Sequence, residues 1–173
     1  MKIAVKLAFD EQAALRLLNW LAQENALLLR ARPELPLLYD SGVVYQRETD
    51  ETWCDYLNML AQGHEDCDGL ASARAGELIA KGWAALRPGD GGHAEAQRRR
   101  PASIPAEVML TTRSTADAPG LYHCIVRYRV GTRWHRDDPS KRLGMNGRVQ
   151  PEVRRRWAAV ADRTTAEAVW RTA

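Results

Sequence analysis

The sequence predicts an α+β domain in which a helix that opens on a cysteine packs against an antiparallel sheet. Three observations predict it. Near the N-terminus, Leu15, Leu18, Leu21 and Ala22 recur at helical spacing. Residues 67–81 form a second helical stretch, rich in Gly, Ala and Ser. Between 106 and 137, three apolar segments are separated by turn residues, as in an antiparallel meander. The 173 residues suit a single domain, large enough to bury a core without disulfide or metal staples.

Taken in order, residues 3–8 read as a short strand. Asp10 reads as an N-cap with Glu11 in the first turn, and the helix it opens runs to about Arg30, stopped by Pro33 and Pro36. Residues 43–47 read as a short extended segment. Asp50 or Thr52 then caps a second helix with Trp53, Tyr56, Leu57 and Leu60 on one side, ended by Gly63. His64-Glu65-Asp66 reads as a turn. The third helix starts at Cys67 and ends before Gly82; its small residues make it thin, which suits close packing on a sheet. Residues 87–105, with Arg98-Arg99-Arg100, read as an exposed loop. Strands follow at 106–113, 121–130 and 132–137, and a last helix at about Glu152 to Val169. On the middle strand, alternation puts Tyr122, Cys124, Val126 and Tyr128 on one face and Leu121, His123, Ile125 and Arg127 on the other.

Composition excludes several classes. Hydrophobic residues at 45% and charged residues at 27% are those of a globule, not of a disordered chain. Apolar runs such as Ala26-Leu27-Leu28-Leu29 are far too short to cross a bilayer, and Met1-Lys2-Ile3-Ala4-Val5-Lys6 lacks the pattern of a signal peptide. Three cysteines, Cys54, Cys67 and Cys124, with no CxxC pair, argue against a disulfide framework and suit a reducing compartment. The net charge of +3 does not imply nucleic acid by itself. It is unevenly spread: residues 1–126 carry a net −4 and residues 127–173 a net +7. The basic C-terminal region, including Arg154, Arg155 and Arg156, is a candidate surface for an acidic protein partner.

The residue types of a thiol catalyst stand at suitable places. Cys67 opens a helix, where free N–H groups and the dipole favour a thiolate. His123 lies in a strand that would aim its ring, and Asp138 follows the next strand, just before Pro139. A cysteine nucleophile needs a base within reach, and the base needs an orienting acceptor. Asp137 competes for that last role, but neighbours on a strand face opposite sides, so only one of the two can meet His123. Glu65, Asp66 and Asp68 surround Cys67 and oppose its ionisation.

Gly63-His64-Glu65-Asp66-Cys67-Asp68-Gly69-Leu70-Ala71, Tyr122-His123-Cys124-Ile125-Val126 and Asp137-Asp138-Pro139-Ser140 together resemble the transglutaminase-like branch of the papain-like cysteine peptidase fold, including members found in tailed phages. Arg142-Leu143-Gly144-Met145 resembles the tail that follows Asp-Pro in such members. The resemblance covers about residues 43–145. It implies a papain-like core with an N-terminal helical extension over 1–40 and a basic helical one over 146–173. It further implies Cys67 as nucleophile, His123 as general base and acid, and Asp138 as orienting carboxylate. The Cys67 N–H would supply part of an oxyanion hole, and Gln62, placed upstream like the papain-like glutamine, is a candidate for the rest. Trp53 is a candidate for lining the cleft.

Simpler readings stand beside these. Cys54 and Cys124 read as packing residues and the six tryptophans as core or interface anchors. A metal site from His64 and Cys67 with His123, His93 or Cys54 fits no usual zinc spacing, so neither metal nor cofactor is expected. The expected substrate is a protein or peptide, in the cytoplasm of a bacterial host or on a virion. The competing reading is a non-catalytic component of a phage-like particle on the same fold.

Overall fold

The computed structural model describes residues 10–48, 52–86, 103–115 and 118–145. Helix α1 (Glu11–Ala31) begins where Asp10 Oδ1 accepts from the Ala13 N–H at 2.7 Å, satisfying a first-turn donor. After the prolines a single 3-10 turn, Leu38–Asp40, leads to β1 (Val44–Tyr45). Helix α2 (Tyr56–Gln62) follows, then β2 (His64–Glu65) and α3 (Cys67–Lys81). Gly63, between α2 and β2, has φ 74°, a left-handed turn that glycine adopts without strain. A 3-10 turn, Gly82–Ala85, closes α3. The sheet strands are β3 (Ala106–Thr115), β4 (Ala118–Val130) and β5 (Arg133–Asp137), and α4 (Pro139–Arg142) ends the described chain.

Two local expectations are corrected. Helix α2 starts at neither Asp50 nor Thr52: Asp55 caps it, accepting from the Asn58 N–H. Trp53 and Cys54 are held outside the helix because the Trp53 indole donates to Asp68 and the Cys54 thiol to Glu65. Nor is His64-Glu65 a turn. It pairs in parallel with β1, Val44 opposite His64 and Tyr45 opposite Glu65, and Gln46 N donates to Glu65 O at 2.9 Å.

The antiparallel meander runs in the order β3-β4-β5, with Val108 opposite Val126 and Val126 opposite Asp137. Helices α1 and α3 both pack on it. Leu18 and Ala22 of α1, Ala71, Ala75 and Leu78 of α3, and Val108, Cys124, Val126 and Tyr128 of the sheet form one core. A second cluster, with Leu29, Leu38, Tyr56, Met59, Leu70 and Ala73, fills the space between α1, α2 and another side of α3. Helix α3 is therefore buried from Asp68 to Ile79, which explains small residues all round it.

At Gly76 the close neighbour of α3 is α1 rather than the sheet. A Cβ on Gly76 would stand 2.7 Å from both Ala22 O and Asn25 Cβ. Helix α1 is thus part of the core, where the sequence suggested an appended element. A buried cation ties α3 to β5: Arg74 donates to Asp137 Oδ2 at 2.9 Å, to Ala85 O at 2.8 Å and to Glu77, with its guanidinium 4.7 Å from the Tyr39 ring centroid. The strand expected at 3–8, the Arg98-Arg99-Arg100 loop, the helix expected at 152–169 and Arg154, Arg155 and Arg156 lie outside the described residues. Among the described residues no helix is long and apolar enough to cross a membrane.

Candidate active site

Cys67 is the first residue of α3, directly after its N-cap Asp66. The Asp68 and Leu70 N–H groups are used by Asp66 and the Gly69 N–H by Asp68, while the Cys67 N–H has no hydrogen-bond partner among the described residues. One donor of the first turn therefore stays open beside the sulfur.

The sulfur lies at an open strand edge. Arg129 N donates to Pro105 O, so odd-numbered residues of β4 turn their backbone toward β3 and even-numbered ones toward β5. Strand β5 ends at Asp137, opposite Val126. The Cys124 N–H thus leaves β4 where no strand continues, on the side of the Cys67 sulfur, whose charge it favours. The Cys124 thiol and the His123 ring both stand beside the same sulfur and act on its charge. Alternation still holds along the strand, because Cys67 sits at the edge, where side chains from both faces reach it.

The turn after β5 orients the ring. Asp137 and Asp138 diverge: Asp137 goes to Arg74, Tyr39 and Arg142, and Asp138 goes to His123. His123 Nε2 and Asp138 Oδ2 are 3.0 Å apart. Asp138 is fixed in turn by capping α4, with Oδ1 accepting from Lys141 N at 3.1 Å and Oδ2 paired with Lys141 Nζ at 3.0 Å. With Nε2 occupied, Nδ1 of the buried ring, which has no partner of its own, is the nitrogen left for the sulfur.

These contacts set the charges. The Cys124 thiol beside it, then His123 and the Cys124 N–H, outweigh burial and hold the Cys67 thiol down to about 4. Cys124 is driven far above the ordinary thiol range by the neighbouring Cys67 sulfur and by burial, so it keeps its proton and remains a donor. The Asp138 hydrogen bond, then the Cys67 sulfur, raise His123 to about 9 against burial. For Asp138, burial acts upward, but His123 and Lys141 together lower the carboxyl to about 2. The resting arrangement near neutrality is a thiolate, an imidazolium and a carboxylate in sequence.

The acidic surroundings oppose this less than the sequence suggests. Burial, then Asp66, raise Asp68 to about 8, and burial raises Glu65 to about 7, so both give up much of their charge near neutrality. Gln62 is the last residue of α2 and is exposed. Trp53 packs near Cys67, with its indole N–H directed to Asp68 Oδ2 at 2.6 Å. Of the residues weighed as metal ligands, His93 lies outside the described residues. Among the described residues, Glu65, Asp66 and Asp68 are the three whose donor atoms approach within 4.8 Å of one another. A groove of about 320 Å³ between Gln23, Ile79, Glu107 and Trp134 is bordered by neither Cys67, His123 nor Asp138.

Sequence reasoning missed Cys124 at the sulfur, and Arg74 behind Asp137. Cys124 reads as a packing residue because it shares a strand face with Val126; the signal that could have found it is the short final strand, which leaves its N–H without a strand partner. Compared with known proteins, the chain matches no family model, no curated protein and no solved structure.

Proposed function

We propose that the chain is a transglutaminase-like thiol hydrolase or acyltransferase, acting on amide bonds of a protein or peptide through a Cys67 thioester. The observation that carries this reading is the ordered contact of Asp138, His123 and Cys67, with a sulfur held as thiolate. The thiolate attacks the amide carbon, and the carbonyl oxygen takes the negative charge beside the open Cys67 N–H. His123 gives its proton to the departing nitrogen as the C–N bond breaks, leaving the thioester. Water or an amine then attacks, His123 takes the incoming proton, and the sulfur leaves as thiolate. Asp138 keeps Nε2 engaged throughout and stabilises the charged ring.

A non-catalytic assembly component would need no oriented imidazolium at a thiolate, and one experiment separates the two readings. With p-nitrophenyl acetate, the wild-type chain should release one nitrophenolate per chain in a burst, with an acetyl group on Cys67 by peptide mapping. Cys67→Ala should abolish the burst, and His123→Ala should slow acylation or deacylation by ~10²–10⁴. A burst that survives in Cys67→Ala, or no acylation of Cys67 at all, would overturn the proposal.

A further inference from the structure

Two sulfurs meet at the site, and the amide chemistry uses only one as nucleophile. Cys124 is buried at 4% exposure in the core cluster against which Cys67 packs, and each of the two thiols shifts the other's charge. Cys67 is only partly buried and opens α3. The third cysteine is engaged elsewhere, its sulfur 2.7 Å from Glu65 Oε2. We propose that Cys67 and Cys124 are a peroxide-responsive pair, with Cys67 the oxidised thiol and Cys124 the resolving one, joining in a reversible disulfide that switches the site off.

The order of events follows from access and charge. A peroxide molecule, little larger than water, reaches the partly exposed Cys67 before the enclosed Cys124. The Cys67 thiolate attacks one peroxide oxygen; the O–O bond breaks, hydroxide leaves, and the sulfur becomes a sulfenic acid. The Cys124 sulfur then attacks the Cys67 sulfur. The S–O bond breaks and the S–S bond forms, with the Cys124 proton and the departing hydroxyl leaving as water. Two electrons pass from the sulfur pair to the peroxide, and the hydroxide of the first step is neutralised by solvent. Closure draws the two neighbouring sulfurs to bond length. Cys67 makes this shift at the first position of its helix, where no preceding turn crowds its side chain. Reduction by a small dithiol reverses it.

The inference needs a reactive thiolate, not amide chemistry, so the two proposals can fail separately. Full-length protein treated with hydrogen peroxide, blocked with iodoacetamide and cleaved after Arg and Glu yields each cysteine on its own peptide. The expected product is a Cys67–Cys124 linked pair lacking two hydrogens, with Cys67 alkylation reduced at least ~10-fold and restored by dithiothreitol. In Cys124→Ala, Cys67 should instead gain oxygen atoms. Oxygen added to Cys67 in the wild type with Cys124 still alkylatable, a link through Cys54, or no reaction with peroxide would each overturn the inference. A linked pair in a protein with no ester burst would leave the inference standing and remove the hydrolase reading.

Discussion

Cys54 and Cys67 belong to one stretch of chain, yet their sulfurs meet opposite surroundings. Cys54 donates to a carboxylate and is pushed up by burial, whereas Cys67, beside Cys124 and His123, is held down to about 4. Because the folded value of Cys67 is lowered, the nucleophilic form is present above about 4 and lost below it. Iodoacetamide should therefore modify Cys67 at a rate nearly flat between about pH 5 and 8, where an ordinary thiol of pKa ~8.5 gains about tenfold per pH unit. His123→Ala should move the half-maximal pH upward. If Cys67 reacts no faster than Cys54 near neutrality, the thiolate assignment is lost. At this scale the grouping of Cys67, His123 and Asp138 was legible, because each stands at a recognisable boundary: a helix start, a strand, and an Asp-Pro after a strand. Cys124 was not, because its part depends on where β5 stops. Asp68 and Glu65 were misjudged because charge was counted from sequence, whereas burial decides how much of it persists.

Among the elements, the strands and α3 were legible from alternation and from the Gly82 stop, and α1 from its apolar spacing and Asp10 cap. The parallel pairing of β1 with β2 was not, since two-residue strands carry no period. The partner of the thin helix face was also misread: small residues signal close approach without naming what approaches. Gly76 makes this testable, because two effects oppose each other. Helix propensity favours alanine over glycine by about 1 kcal/mol. The added Cβ would meet the α1 backbone at 2.7 Å, and such overpacking costs typically ~1–3 kcal/mol. Since the contact is backbone, with little freedom to yield, Gly76→Ala should lower the melting temperature by several degrees. A thermal melt showing stabilisation would mean that the two helices separate freely.

Across the whole molecule, the site is held by a charge network that none of its reacting atoms belongs to. Arg74 fixes Asp137, and so the end of β5 from which Asp138 reaches His123. Arg74→Met would leave the buried Glu77 carboxylate without its guanidinium and Asp137 with Arg142 alone, a loss of about 3–5 kcal/mol. Arg74→Lys should recover only part of it, because an ammonium cannot serve three acceptors in fixed planar directions. Chemical denaturation of the three proteins measures this; equal stability of Arg74→Met and wild type would show that the network carries no weight. The early end of β5 has one more consequence. An open strand edge is a template on which another chain can add as a further strand. Here the start of α3 closes that edge at Cys124, so the sulfur of Cys67 also acts as a stopper. The sulfur held as thiolate thus also helps keep β4 from pairing with a neighbour.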